Sequence, residues 1–123
     1  MRITEAVKEL IDVQGYDWLD ESYSDSIPDS VVASTDTTQM LITEVTSTPE
    51  DFANNTFTSV YKEVRINIYY KLDFAESVGD VEIAIMKLFT VNGWVVSETK
   101  PPTTDPSTDQ VFSTLDFGKT NSL

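Results

Sequence analysis

The chain predicts an α+β domain, a mainly antiparallel sheet with a long central strand and two helices packed on one face. Three observations carry that expectation. "YKEVRINIYYKLD", residues 61–73, alternates apolar and polar side chains almost without a break, the pattern of a strand covered on one side. "ITEAVKELIDV" and "SVGDVEIAIMKLF" space their apolar residues at helical intervals instead. A length of 123 residues with 40% hydrophobic and 11% aromatic content suits a single core, so residues 1–123 are read as one domain.

In chain order, the first helix places Ile3, Val7, Leu10 and Ile11 on one side, with Glu5 near the positive end of the helix dipole and Gly15 as a stop. Residues of about 15–36 read as a flexible acidic loop whose Tyr16 and Trp18, with Tyr23, fold back to cap the core. "QMLITEVT" is the first strand, with Met40 and Ile42 on its buried side. "STPEDFANNTF" connects it to the long strand, and Pro49 is positioned to open one helical turn. On the long strand Val60, Val64, Ile66, Ile68, Tyr70 and Leu72 share the core parity, while Tyr61, Glu63, Arg65, Asn67, Tyr69 and Lys71 face away.

The second helix follows, with Ser77 as its cap and Val78, Val81, Ala84, Ile85 and Leu88 on its inner face. Asn92 and Gly93 end it. "WVVSE" and "QVFSTLDF" form a closing hairpin across "TKPPTTDPSTD", which is expected to arch away from the sheet. Residues of about 118–123 are expected to fray.

The long strand is disproportionate to its domain. A globule of this length has a radius of gyration of roughly 14 Å and a diameter of about 35 Å, whereas thirteen extended residues reach roughly 43 Å. Either the strand bends or one end projects towards something else.

Composition excludes several functions. With 8 basic against 21 acidic residues and a net charge of −13, the chain repels phosphate backbones, so no nucleic-acid partner is expected. Residues 1–36 alone hold nine acids and two bases. The chain has neither cysteine nor histidine, which removes disulfides, thiolate metal sites and the commonest general base. The first residues lack the cationic and apolar regions of a leader, and no apolar run reaches membrane-spanning length, so no membrane partner is expected.

Chemical motifs are nearly absent. Asp105, Ser107 and Asp109 have the spacing of the first ligands of a calcium loop, but the glycine and the distal glutamate that complete one are missing. Asp73, Glu76 and Asp80 cluster near a helix start, which capping and the helix dipole explain more simply than catalysis. Asn54-Asn55-Thr56 matches a glycosylation acceptor that matters only in a secreted chain. Catalytic, metal and cofactor residues are therefore assigned to none, and an enzyme is not expected.

The element order resembles a known family. A helix, a polar loop, "MLITEV", the long "VYKEVRINIYYKLD", the "VGDVEIAIMKLFTVNGW" helix and a hairpin from "WVVSE" to "QVFSTLDFG" look like the tail terminator proteins of long-tailed siphophages, in the small type found in phages of lactic acid bacteria. That resemblance implies a structural protein of the virion, assembled in the host cytoplasm. Copies would close into a ring, six by analogy, on the head-proximal end of the tail tube, end its polymerisation and present a docking surface to the head connector. Its implied partners are a second copy of itself, the tail tube protein and a connector or neck protein. Pro49, Glu50, Asp51, Phe52, Asn54 and Asn55, together with Lys100, Pro101, Pro102, Asp105 and Asp109, are the candidate contacts to tube or connector, and Arg65, Tyr69 and Lys71 are the candidate contacts between subunits. The alternative is an acidic interaction module that mimics DNA or inhibits a host nucleic-acid enzyme.

Overall fold

A computed structural model describes residues 2–27, 35–53 and 56–122. The element order is α1 (Ile3–Asp12), β1 (Glu21–Ser24), β2 (Gln39–Ala53), β3 (Thr56–Tyr69), α2 (Val78–Val91), β4 (Val95–Thr104) and β5 (Val111–Ser122). The five strands form one sheet in the order β1-β2-β3-β5-β4. Every pairing is antiparallel except the short one between β1 and β2. This is the α+β fold that the sequence predicts.

Period-two alternation decides which face of the sheet is covered. Met40 and Ile42 of β2, Val64, Ile66 and Ile68 of β3, and Leu115 and Phe117 of β5 are buried together with Val7 and Ile11 of α1 and Val81, Ile85 and Phe89 of α2. Ser77 caps α2 through its hydroxyl, which accepts from the Asp80 amide at 3.4 Å. Phe89 stacks on Phe117 at 4.1 Å between ring centres and meets Trp94 edge-on at 5.7 Å. These contacts lock α2 onto β5. Tyr16 stacks on Trp18 at 4.9 Å, and both lie against the core, as expected of aromatics that cap it.

Several boundaries differ from the sequence reading, each for a physical reason. The stretch expected as loop between 15 and 36 contains β1, whose Glu21–Ser24 pair in parallel with Gln39–Ile42. Four polar-rich residues give no alternation to detect, and their ordering comes from the neighbouring strand. The Asp12 carboxylate helps by accepting from Ser22 at 2.5 Å. Residues 28–34 of that segment lie outside the described residues.

Pro49 does not open a helical turn, because β2 continues through it to Ala53 with Pro49 opposite Val60. Beyond Ile42, β2 has no outer neighbour among the described residues, and an unpaired edge accommodates a residue without an amide hydrogen. The same reason lets β4, the other edge, run through Pro101 and Pro102 across a register irregularity between Lys100 and Thr103. The expected arch of residues 99–109 therefore contracts to residues 105–110.

The long strand begins earlier and ends earlier than its alternation suggests. It spans Thr56–Tyr69. After Tyr69 the chain leaves the ladder, and Leu72, expected in the core, is exposed. Residues 118–122, expected to fray, are instead part of β5, which pairs with β3 out to Ser122 opposite Ser59; Leu123 lies outside the described residues. Gly118 belongs to that pairing for a steric reason: the Tyr61 ring lies where a Cβ would stand.

Two consequences are measurable. Phe89→Ala opens a cavity between α2 and the sheet and should cost about 3–5 kcal/mol in urea unfolding, whereas Gly118→Ala, which only displaces the Tyr61 ring, should cost about 1 kcal/mol. The Tyr70 hydroxyl, buried against the Ser113 hydroxyl at 2.8 Å, has its pKa pushed by burial from 10.0 up to about 12. Because the folded value is raised, its contribution to stability is complete below pH 10.0 and is lost as pH climbs towards about 12. In an alkaline titration followed by phenolate absorbance, Tyr70 should ionise last or together with unfolding, and Tyr70→Phe should remove that final step.

Candidate interaction surface

Burial ends abruptly along the sheet. On β2 no apolar residue beyond Ile42 is buried, on β3 none lies beyond Val64 towards Thr56, and on β5 Phe117 is the last. The eight steps from Val64 to Thr56 extend about 27 Å past the core. A β-bulge between Glu44 and Thr46 stands where the arm departs, adding a residue on β2 and with it local twist and bend. Among the described residues only β2 and β3 continue past the Ser59–Ser122 pair, so the distal part of the arm is a two-stranded ribbon. Such a ribbon is marginal by itself in water.

Local devices hold the ribbon. Phe52 pairs with Phe57 across the strands, edge to face at 6.2 Å. Asp51 sits in the left-handed region at φ 55°, a conformation that costs a non-glycine residue about 1 kcal/mol or more. Its carbonyl accepts from the Thr58 hydroxyl at 2.6 Å and its carboxylate from the Ser59 hydroxyl at 2.5 Å, which fixes the distortion. Even so, Phe52 remains 70% exposed. An aromatic pair has been carried outward and left in water.

The sheet face opposite the helices is polar. Arg65 donates to Asp116 through two nitrogens, at 2.9 and 3.1 Å, in a bidentate pair. The Asp116 side chain is only 3% exposed. The hydrogen bond to Asp116, opposed by burial and aided by the charges of Glu98 and Glu63, raises the Arg65 pKa and keeps the guanidinium charged. Glu63 accepts from Tyr61 at 3.0 Å and from Ser97 at 2.8 Å, and Asn67 donates to the Thr114 hydroxyl at 2.9 Å. Tyr69 leans on Phe112 at 5.5 Å. No helix among the described residues covers this face, and its polar groups satisfy one another instead.

The residues singled out from sequence separate into distinct places. Pro49, Glu50, Asp51 and Phe52 lie on the arm; Asn54 and Asn55 lie outside the described residues. Lys100, Pro101 and Pro102 belong to exposed β4. Asp105 and Asp109 stand in the 105–110 connection, at the opposite end of the sheet from the arm, where Asp105 accepts from the Ser107 amide at 2.8 Å in a turn. Arg65 and Tyr69 share the polar face, whereas Lys71 falls beyond the end of β3, its amide donating to Thr38 at 3.2 Å. Sequence reading passed over Phe57, which a mirror relation to Phe52 about Asn54-Asn55 could have revealed. It also passed over the outer face of α2, where Ile83 and Val91 are exposed.

Among the described residues no three metal-ligating side chains converge. A cleft of about 330 Å³ beside Tyr69 is lined by Asp25, Ser26, Leu41, Asp105 and Gln110. No helix of the described residues is long and apolar enough to cross a membrane.

The polar face makes a prediction about folding that separates it from an interface role. Arg65→Ala strands a buried carboxylate and should cost about 2–3 kcal/mol. Adding Asp116→Asn should recover part of that loss in thermal unfolding; if the double variant is no more stable than the single, the pair does not hold the sheet face as described.

No curated protein matches the chain. A family described as "Protein of unknown function (DUF806)" matches residues 2–121, nearly its full length. The chain thus belongs to the DUF806 family.

Proposed function

We propose that this protein is a structural component of a phage tail: a ring of copies that caps the tail tube, ends its polymerisation and offers the head connector a docking surface. The observation that carries this reading is the arm. A strand pair that leaves its own core by about 27 Å, with its aromatic tip exposed, gains its missing burial from another molecule. Arm and body are different surfaces, so a contact between them is heterologous, and heterologous contacts close into rings when their rotation permits.

Two further features support it. The arm tip and the 105–110 connection project from opposite ends of the sheet, which suits a subunit that meets one partner below and another above. The net charge of −13 suits the wall of a passage for DNA, because a cationic wall would retain the genome. The candidate contacts Pro49, Glu50, Asp51 and Phe52 would serve one end and Asp105 and Asp109 the other, with Arg65, Tyr69 and Lys71 between subunits.

The test is to shorten the arm without touching the core. Glu50 and Ser59 face one another in register, so replacing residues 51–58 by Asn-Gly leaves a tight hairpin and keeps the β3–β5 pairing out to Ser59 and Ser122. The shortened protein should fold with near-normal thermal stability yet fail to assemble. Tails grown with it in place of the complete protein should show uncontrolled lengths in electron micrographs. Tails of normal length and normal head attachment would overturn the reading.

A further inference from the structure

We infer that the aromatic tip of the arm, Phe52 with Phe57, seats in an apolar groove on the outer face of α2 in a second copy of this chain. This deepens the ring reading and rests on it. The groove is lined by Ile83, Met86, Lys87, Thr90 and Val91 and encloses about 290 Å³. The opposite side of α2, with Val81, Ile85 and Phe89, is already committed to the core. A helix that is apolar on both sides is built to be covered on both, yet Val91 is 79% exposed.

Charge selects between this groove and the rest of the surface. The tip presents Glu50 and Asp51 beside Phe52, in a chain where most surfaces would repel them. Residues 83–97 form the longest stretch of the chain without a carboxylate, and its one charged residue is Lys87, on the groove's rim. An acidic aromatic tip therefore meets an apolar slot with a single cation. Both surfaces stay exposed within one protomer, so the contact is made between protomers, each giving its arm to the next.

The absence of native cysteine gives a clean test. Ala53→Cys and Thr90→Cys replace two exposed side chains beside the contact, keep Phe52, Phe57 and Val91 in place, and should leave folding intact. Mixing the two single variants at high concentration under mild oxidation should give disulfide-linked dimers. The double variant should give a ladder ending at the closed ring on a non-reducing gel. Assembly seen by mass in solution without these links would overturn the docking assignment and leave the ring standing; a chain that stays monomeric at every concentration would overturn both.

Charge exchange reads the same contact without cysteines. Glu50→Lys and Lys87→Glu should each weaken self-association by roughly three- to tenfold, and the double exchange should restore it. If the double variant stays as weak as the singles while unmodified protein assembles, the acidic tip does not face Lys87 and the assignment is wrong.

Discussion

Burial of apolar side chains on this sheet stops at a line through Ile42, Val64 and Phe117, and the rest of the molecule follows from that line. On one side of it, alternation along three strands presents a continuous apolar face, and α1 and α2 close over it. On the other side the same strands continue with, among the described residues, no helix to cover them and no buried apolar residue to anchor them. Hydrophobic burial is the main stabilising term of a domain this small, so the segment beyond the line contributes little to folding its own protomer. The Asp51 hydrogen bonds and the Phe52–Phe57 pair maintain its shape. An ordered but uncored ribbon is the form expected of a contact element that is pre-organised before its partner arrives.

The polar sheet face obeys the complementary rule. With no covering layer, its charges are matched within the sheet: Arg65 on Asp116, Glu63 with Tyr61 and Ser97, Asn67 with Thr114. Asp116, nearly inaccessible, draws its stabilisation from a guanidinium that keeps one side towards solvent. Arg65 therefore bears on folding whatever it touches between subunits, and a charge reversal there reads both effects at once. The outer face of α2 is the exception to this economy, since its Ile83 and Val91 are left exposed among the described residues.

What the sequence disclosed and what it hid follow from the range of the forces involved. α2 was legible because its cap, Ser77, and its inner residues Val81 and Ile85 are local signals. The core parity from Val64 to Ile68 was legible because alternation needs no knowledge of partners. The distal half of β2 was not, since "STPEDFA" has a proline and polar residues on both faces, and only β3 beside it makes it a strand. β4 through Pro101 and Pro102, β1, and the last residues of β5 share that dependence on a neighbour far away in sequence. The overshoot of the long strand was readable as a length, while its direction towards Thr56 instead of Asp73 required the hairpin. Residues of the candidate surface divide the same way: Phe52 was singled out from its loop, but Phe57 and the α2 groove emerge only once strand pairing and helix burial are known.

Hydrogen exchange along the arm tests the central claim most directly. In dilute, monomeric protein the amides of residues 50–53 and 56–58 should exchange orders of magnitude faster than those of Val64–Ile68, because no core opposes their opening. On assembly the arm amides should slow towards the core values. Arm amides as protected as the core in the monomer, or unchanged when copies associate, would contradict the account.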